Sequence, residues 1–260
     1  MADGALQDRV VLVSGGTQGV GLAIARAAVA AGARVVVTGR RKDVGERAAE
    51  ALRGSGGDAR FVACDVADVD QCRSAVAATV EAHGRVDGLV NAAGFTERGG
   101  LLDTTPQMFE QHVAVNLRGP FFLMQAAVAD LVGRGEPGTV VNVLTMSAHG
   151  GQPYLAPYAA TKAGLAGLTR NAAYAHRFDR VRVNGVNIGW TDSDGEDAIQ
   201  RRFHDADDDW RERAGERLPM GRLAAPEDVT GLVVLLLGDA SGVVTGSVID
   251  WDQTVPGASD

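Results

Sequence analysis

The chain is short of cysteine, of aromatic side chains, of basic charge and above all of lysine, and each shortage removes a class of function. Two cysteines in 260 residues, Cys64 and Cys72, are too few for a disulfide framework or a zinc site. Thirty-three acids against 25 bases leave a net charge of −8, which argues against nucleic acid or an anionic membrane as a partner. The longest apolar run of note, Leu232 to Leu237, falls far below the roughly 18 residues that span a bilayer. The opening residues, MADGALQDR, carry neither a basic nor an apolar block, so no secretory signal is predicted there. These absences predict a cytoplasmic protein. No Pro/Gly/Ser-rich linker and no internal repeat divides the chain, which reads as a single domain over 1–260.

What is present is organised around residues 9–32, RVVLVSGGTQGVGLAIARAAVAAG. The β-branched run Val10 to Val13 reads as a fully buried strand. Gly15, Gly16, Gly19 and Gly21 follow as a loop, and Leu22, Ile24, Ala25, Ala28 and Val29 recur at helical spacing until Gly32. Strand, glycine loop and helix form half of a βαβ unit, in which backbone N–H groups and a helix N-terminus approach a pyrophosphate. Further strands are predicted at 34–38, 60–63, 87–91, 138–145, 181–187 and 246–250. Helices are expected at 43–53 (capped by Asp43), 68–83, 106–132 (Pro106 in its first turn), 157–178 and 226–237. This alternation predicts an α/β fold, a doubly wound Rossmann-type parallel sheet of about seven strands with helices on both faces. A polar excursion, 190–217, interrupts it. In such a sheet ligands sit at the carboxyl ends of the strands, so residues 14–21, 39–41, 65–66, 91–94, 145–147 and 188–193 are the ones to inspect.

Tyr158 and Lys162 lie four apart on one face of a predicted helix. The chain uses arginine for almost every other cation, and a compact ammonium fits beside a phenol where a guanidinium fork does not. A nearby cation stabilises phenolate and is expected to pull the tyrosine pKa down from its free value of about 10. Such a tyrosine is a general acid/base for an alcohol or carbonyl oxygen.

These pieces together resemble the classical short-chain dehydrogenase/reductase family over essentially the whole chain. The matching segments are Ser14 to Gly21 (SGGTQGVG), Asp65-Val66, Asn91 to Gly94 (NAAG), Asn116 in VAVNLRG, Tyr158-x-x-x-Lys162, and Ile188-Gly189. The resemblance implies that Ser14, Gly15, Thr17, Gln18, Gly19, Val20 and Gly21 hold the cofactor diphosphate. It implies that Asp65 and Val66 meet the adenine and that Asn91, Ala92 and Gly94 support the cofactor. Tyr158 would exchange the proton, Lys162 would hold the nicotinamide ribose, Asn116 would keep a water in the proton relay, and Ile188 and Thr191 would border the nicotinamide. The family's usual serine thirteen residues before the tyrosine is Thr145 here, with Ser147 the competing hydroxyl, and its usual Pro-Gly after strand six is Ile188-Gly189.

Cofactor choice turns on the end of the second strand. Enzymes of this type that use NAD usually place an acid there; this chain has Gly39-Arg40-Arg41, which favours NADP, with NAD the alternative. Residues 192–209 carry eight acids against two arginines, and in the family this region is a lid over the substrate. A polar small-molecule substrate (polyol, sugar, cyclitol or keto compound) is expected, contacted by Thr96, Ser147 and Trp190. The resemblance also implies a homotetramer, or a dimer, built on 106–132, 157–178 and the last strand. The alternatives are a non-catalytic dinucleotide sensor or scaffold of the same fold, and a reductase for an apolar ketone. No metal is expected.

Overall fold

The computed structural model describes residues 4–257. Its seven strands are β1 (Val10–Ser14), β2 (Arg34–Gly39), β3 (Ala59–Ala63), β4 (Gly88–Asn91), β5 (Gly138–Thr145), β6 (Val181–Ile188) and β7 (Val248–Trp251). They form one parallel sheet in the order β3-β2-β1-β4-β5-β6-β7. The chain winds outward from β1 to β3, crosses back to β4, and winds outward again, so the switch point falls between β1 and β4. Strands covered on both faces need no polar side, which is why β1 and β5 are buried along their whole length.

Helices α1 (Gly19–Ala30), α2 (Lys42–Gly54) and α9 (Thr230–Leu237) build one apolar layer with the sheet through Ile24, Leu52 and Val233. Helices α3 (Val69–His83), α5 (Gly119–Arg134) and α6 (Ala156–Ala175) build the other through Val76, Leu123 and Leu165. The short α4 (Pro106–Val113) precedes α5, and α7 (Asp194–His204) and α8 (Trp210–Gly215) lie between β6 and α9. The Asp68 carboxylate caps α3 by accepting from the Asp70 and Gln71 amides, and the Thr105 hydroxyl caps α4.

Several sequence expectations need correction. Asp43 does not cap α2: it lies inside the first turn and pairs with Arg47. The long helix expected over 106–132 is broken by a π-helical turn at Ala114–Arg118, where the Gly119 N–H bonds the Ala114 carbonyl five residues back. Pro120 has no N–H to offer the Asn116 carbonyl, so the regular ladder fails there. The helix expected to reach 178 ends at Ala175, and the last strand begins at Val248 rather than 246. The excursion 190–217 is not irregular. Ser193 caps α7, acids fill its first turn and Arg201, Arg202 and His204 its last, so its charges complement the helix dipole. Cys64 and Cys72 are free thiols in the core, and no helix among the described residues is long and apolar enough to cross a membrane.

Candidate active site

The carboxyl ends of β1, β4, β5 and β6 converge on one edge of the sheet. Register puts Ser14 beside Asn91, Asn91 beside Asn142, and Thr145 beside Ile188. After β1 the chain turns through Gly15, at φ +73°, whose absent side chain lets the loop lie on the backbone of Ala93. A Cβ at Gly21 would stand 2.2 Å from the Gly15 carbonyl oxygen, so the first turn of α1 folds against the loop only with glycine there. No side chain caps α1 at Gln18, and the Gln18 amide oxygen instead accepts from Arg41. Among the described residues, Ser14 Oγ and Asn91 Oδ1 are buried without a hydrogen-bond partner. An open helix N-terminus, a glycine cradle and the unspent Ser14 hydroxyl, which can donate, fit a dinucleotide diphosphate.

The rest of the expected cofactor contour lies along the same edge. Thr17 packs against Gly39, and Arg40 and Arg41 are exposed just beyond it. Val20, Ala92 and Ile188 pack on the core beneath the edge. Val66 is buried, and the Asp65 carboxylate closes its own turn by accepting from the Ala67 amide. Gly94 lies against Asn116, and the Thr191 hydroxyl donates to the Gly189 carbonyl.

Tyr158 and Lys162 project from the first turns of α6 toward the end of β5. Lys162 is buried, and its ammonium donates to the Val143 carbonyl at 2.8 Å. The same ammonium stands 6.0 Å from the centroid of the Tyr158 ring. Burial alone pulls the Lys162 pKa down to about 8. The Tyr158 pKa moves the other way from the sequence expectation. Burial of the phenol pushes it up to about 12; the Thr145 hydrogen bond and the Arg98 charge pull down, and the Glu196 charge pushes further up. The correction has a physical cause: Lys162 spends its ammonium on a backbone carbonyl, so desolvation outweighs the cation.

The two candidate hydroxyls separate. Thr145 lies close enough to the Tyr158 phenol to pull its pKa down, whereas Ser147 donates its hydroxyl to Gln152 Oε1 at 2.5 Å. The Ser147 amide in turn donates to Thr145 Oγ1 at 3.1 Å, which orients the threonine. Asn116, expected to keep a water in a relay leading off Lys162, sits in the π-helical turn, where its side chain is held. Its amide exchanges two 2.9 Å bonds with the Phe95 backbone and donates to Thr161 Oγ1 at 3.3 Å. It pins the chain after β4 to α6.

Half of the eight acids in 192–209 are paired with arginines of the excursion itself. Asp192 pairs with Arg211, Asp197 with Arg201 and Arg211, Asp207 with Arg213, and Asp208 with Arg201. Asp197 also accepts from the buried Trp210 indole. Trp190, half-exposed, stacks on Trp210 with ring centroids 6.0 Å apart. Thr96 offers its carbonyl to Arg98.

The sequence reading missed one buried chain that supports the site. Asn91 Nδ2 donates to Asn142 Oδ1 at 2.8 Å, Asn142 Nδ2 donates to Thr169 Oγ1 at 2.9 Å, and Thr169 donates to the Leu165 carbonyl. It ties β4 and β5 to the helix that carries Tyr158. An asparagine inside the apolar run VVNVL was the available signal.

A parallel sheet with this strand order, carrying a glycine cradle at its switch point, defines a Rossmann-type dinucleotide-binding domain. A family model described as enoyl-(acyl carrier protein) reductase matches residues 15–254. The chain belongs to the short-chain dehydrogenase/reductase family of oxidoreductases. It is 37% identical over 248 residues to an L-rhamnose 1-dehydrogenase (NAD(P)(+)) from Azotobacter vinelandii, covering 93% of this chain and 94% of that one. It is 33% identical to an NADP-dependent (R)-specific alcohol dehydrogenase from Lentilactobacillus kefiri, over 96% of this chain and 98% of that one. Among solved structures, a variant of actinorhodin polyketide ketoreductase with NADPH superposes with a TM-score of 0.90 at 30% identity, over 95% of this chain and 96% of that one.

Proposed function

We propose that this chain is an NADP-preferring dehydrogenase/reductase that interconverts a secondary alcohol and a ketone on a polar substrate, a polyol, sugar, cyclitol or keto compound. The observation that carries the reading is Thr145 beside the Tyr158 phenol, with Lys162 buried one helical turn on. A nicotinamide dinucleotide, when bound, exchanges the hydride. Residues 14–21 hold its diphosphate, Asp65 and Val66 border its adenine, and Asn91, Ala92, Gly94, Ile188 and Thr191 flank the rest. Lys162 lies where a ribose hydroxyl is within its reach. Tyr158 Oη holds the transferable proton: at a pKa near 12 the phenol is protonated at neutral pH and donates to a carbonyl oxygen, while Thr145 steadies that oxygen. Ser147, turned to Gln152, is left to contact the substrate together with Thr96 and Trp190.

Two arguments support NADP. No acid stands at the end of β2 to repel a 2′-phosphate, and the exposed Arg40 and Arg41 can grip one bidentately. A polar substrate is supported by Glu196 and Arg98, which pair with each other within electrostatic reach of the Tyr158 phenol and make that side of the site polar. The L-rhamnose dehydrogenase likeness agrees. The protein acts as an oligomer of its own copies, supported by a groove of about 380 Å³ between α5 and α6 lined by Phe121, Val128, Val132 and Leu168. Its compartment is the cytoplasm.

Separate titrations with NADPH and NADH, followed by reduced-nicotinamide fluorescence, test the reading, with a panel of aldoses, polyols and apolar ketones to follow. NADPH binds more tightly, and Arg40→Ala weakens NADPH by about tenfold, or about 1.4 kcal/mol, while sparing NADH. Tighter NADH, or turnover confined to apolar ketones, contradicts it.

A further inference from the structure

Helix α7 buries none of its residues, yet it stands at the mouth of the site. What holds it is charge. Two consecutive residues after β4, Glu97 and Arg98, meet two residues of α7 in a crossed pattern: Arg202 Nη2 lies 2.7 Å from Glu97 Oε1, and Arg98 Nη2 lies 3.3 Å from Glu196 Oε1. The second pair is the buried one, with side chains 11% and 16% exposed.

Arg98 is the hub. Its Nη1 donates to the Thr96 carbonyl at 3.1 Å, its Nη2 to Glu196, and its Nε to His204 Nε2 at 3.1 Å. Its guanidinium also lies over the Tyr154 ring, 5.6 Å from the centroid, and Tyr154 meets His204 edge-on. One planar fork therefore touches both ends of α7, at Glu196 and at His204. Glu196 Oε1 then collects two further donors, the Trp190 indole at 2.9 Å and the Gln200 amide at 2.7 Å. Trp190 lies two residues past the end of β6, whose last residue, Ile188, stands beside Thr145 in the sheet.

We infer that Arg98 is a positioning residue, fixing α7 and, through Glu196, the Trp190 indole over the reaction centre. The inference rests on the proposed reading only in calling the enclosed space a substrate site; the clamp itself is a property of the free chain. Lysine cannot replace the fork, because a single ammonium cannot aim at Thr96, Glu196 and His204 at once. Removing Arg98 leaves the half-buried Glu196 carboxylate without its cation and close enough to act on the phenol.

The test uses hydrogen exchange of the ligand-free chain together with steady-state kinetics. In Arg98→Ala, exchange across 194–204 rises about tenfold or more while β5 is unchanged, because a broken buried pair is costly and local. Arg98→Lys recovers only part of the protection. Glu97→Arg alone loosens α7, and adding Arg202→Glu restores it, since the crossed pair is re-formed with opposite polarity. KM for the substrate rises in Arg98→Ala more than kcat falls, and the rising, acid-side limb of alcohol oxidation, where Tyr158 must be deprotonated, shifts to higher pH. A merely structural role moves neither the limb nor the KM-to-kcat balance. Unchanged exchange over 194–204 in Arg98→Ala overturns the inference. Loosened exchange in a chain that turns over no alcohol or ketone even as wild type overturns the proposed function and leaves the clamp standing.

Discussion

Helix α6, which carries Tyr158, and helix α7, which carries Glu196, approach the reaction centre from two sides and are held by different forces. α6 buries Pro157, Thr161, Lys162, Leu165, Ala166, Thr169 and Ala173 against the sheet, and the Asn91–Asn142–Thr169 chain stitches it to two strands. α7 buries nothing and is held by ion pairs and by bonds to Arg98. Close packing and satisfied buried polar groups give a position that barely responds to solvent. Partly exposed charges give one that responds to salt and pH. The division suits the proposed chemistry, in which a proton-carrying phenol needs a fixed address and a cover over the substrate has to open.

The largest way to break this comparison is to cut the stitching. Asn142→Ala leaves the Asn91 amide and the Thr169 hydroxyl without their partner in a dry interior. The expected loss is about 1–3 kcal/mol of global stability, read from the urea midpoint, with exchange over 194–204 unaltered. An unmoved midpoint means that packing alone positions α6.

A smaller effect sharpens the other side. His204 accepts from Arg98 Nε, so it must be neutral for the bond to form. Burial and then the Arg98 charge hold its pKa below 6.5, against the pull of Glu196. A depressed folded-state value means the contribution is complete above the unfolded pKa and is lost as pH falls through the folded one. Exchange of 194–204 is therefore expected to speed up between pH 7 and 5, beyond the intrinsic pH effect on exchange, and His204→Gln should flatten that change. β5 serves as the internal control. A pH response unchanged in His204→Gln assigns the sensitivity to another group.

The two regions also differed in how far they could be read from sequence. Buried parallel strands announce themselves as β-branched runs, and β5 was bounded at Gly138 and Thr145 as found. The glycine loop was legible because only glycine folds there, at Gly15 and Gly21. Pro120, which breaks the helix over 106–132, was visible but was passed over in an otherwise helical pattern. The excursion 190–217 was the least legible part. Its acids suggest a polar substrate, but Asp192, Asp197, Asp207 and Asp208 find arginines four to nineteen residues away, and spacing alone does not say which charges meet. The tyrosine pKa was misread for a related reason: the sequence shows that Lys162 is near, and only the fold shows its ammonium donating to Val143. The last three residues of the acidic C-terminal tail, 258–260, lie outside the described residues.

The central claim is that Tyr158 carries the proton in a site whose cofactor cradle is built independently of it. The most direct measurement is Tyr158→Phe, assayed for NADPH binding by fluorescence and for turnover on the best alcohol or ketone of the panel. The account predicts an NADPH Kd within about twofold of wild type and a kcat lower by about 10²–10⁴, the range of a lost general acid/base. Retained turnover in Tyr158→Phe contradicts it.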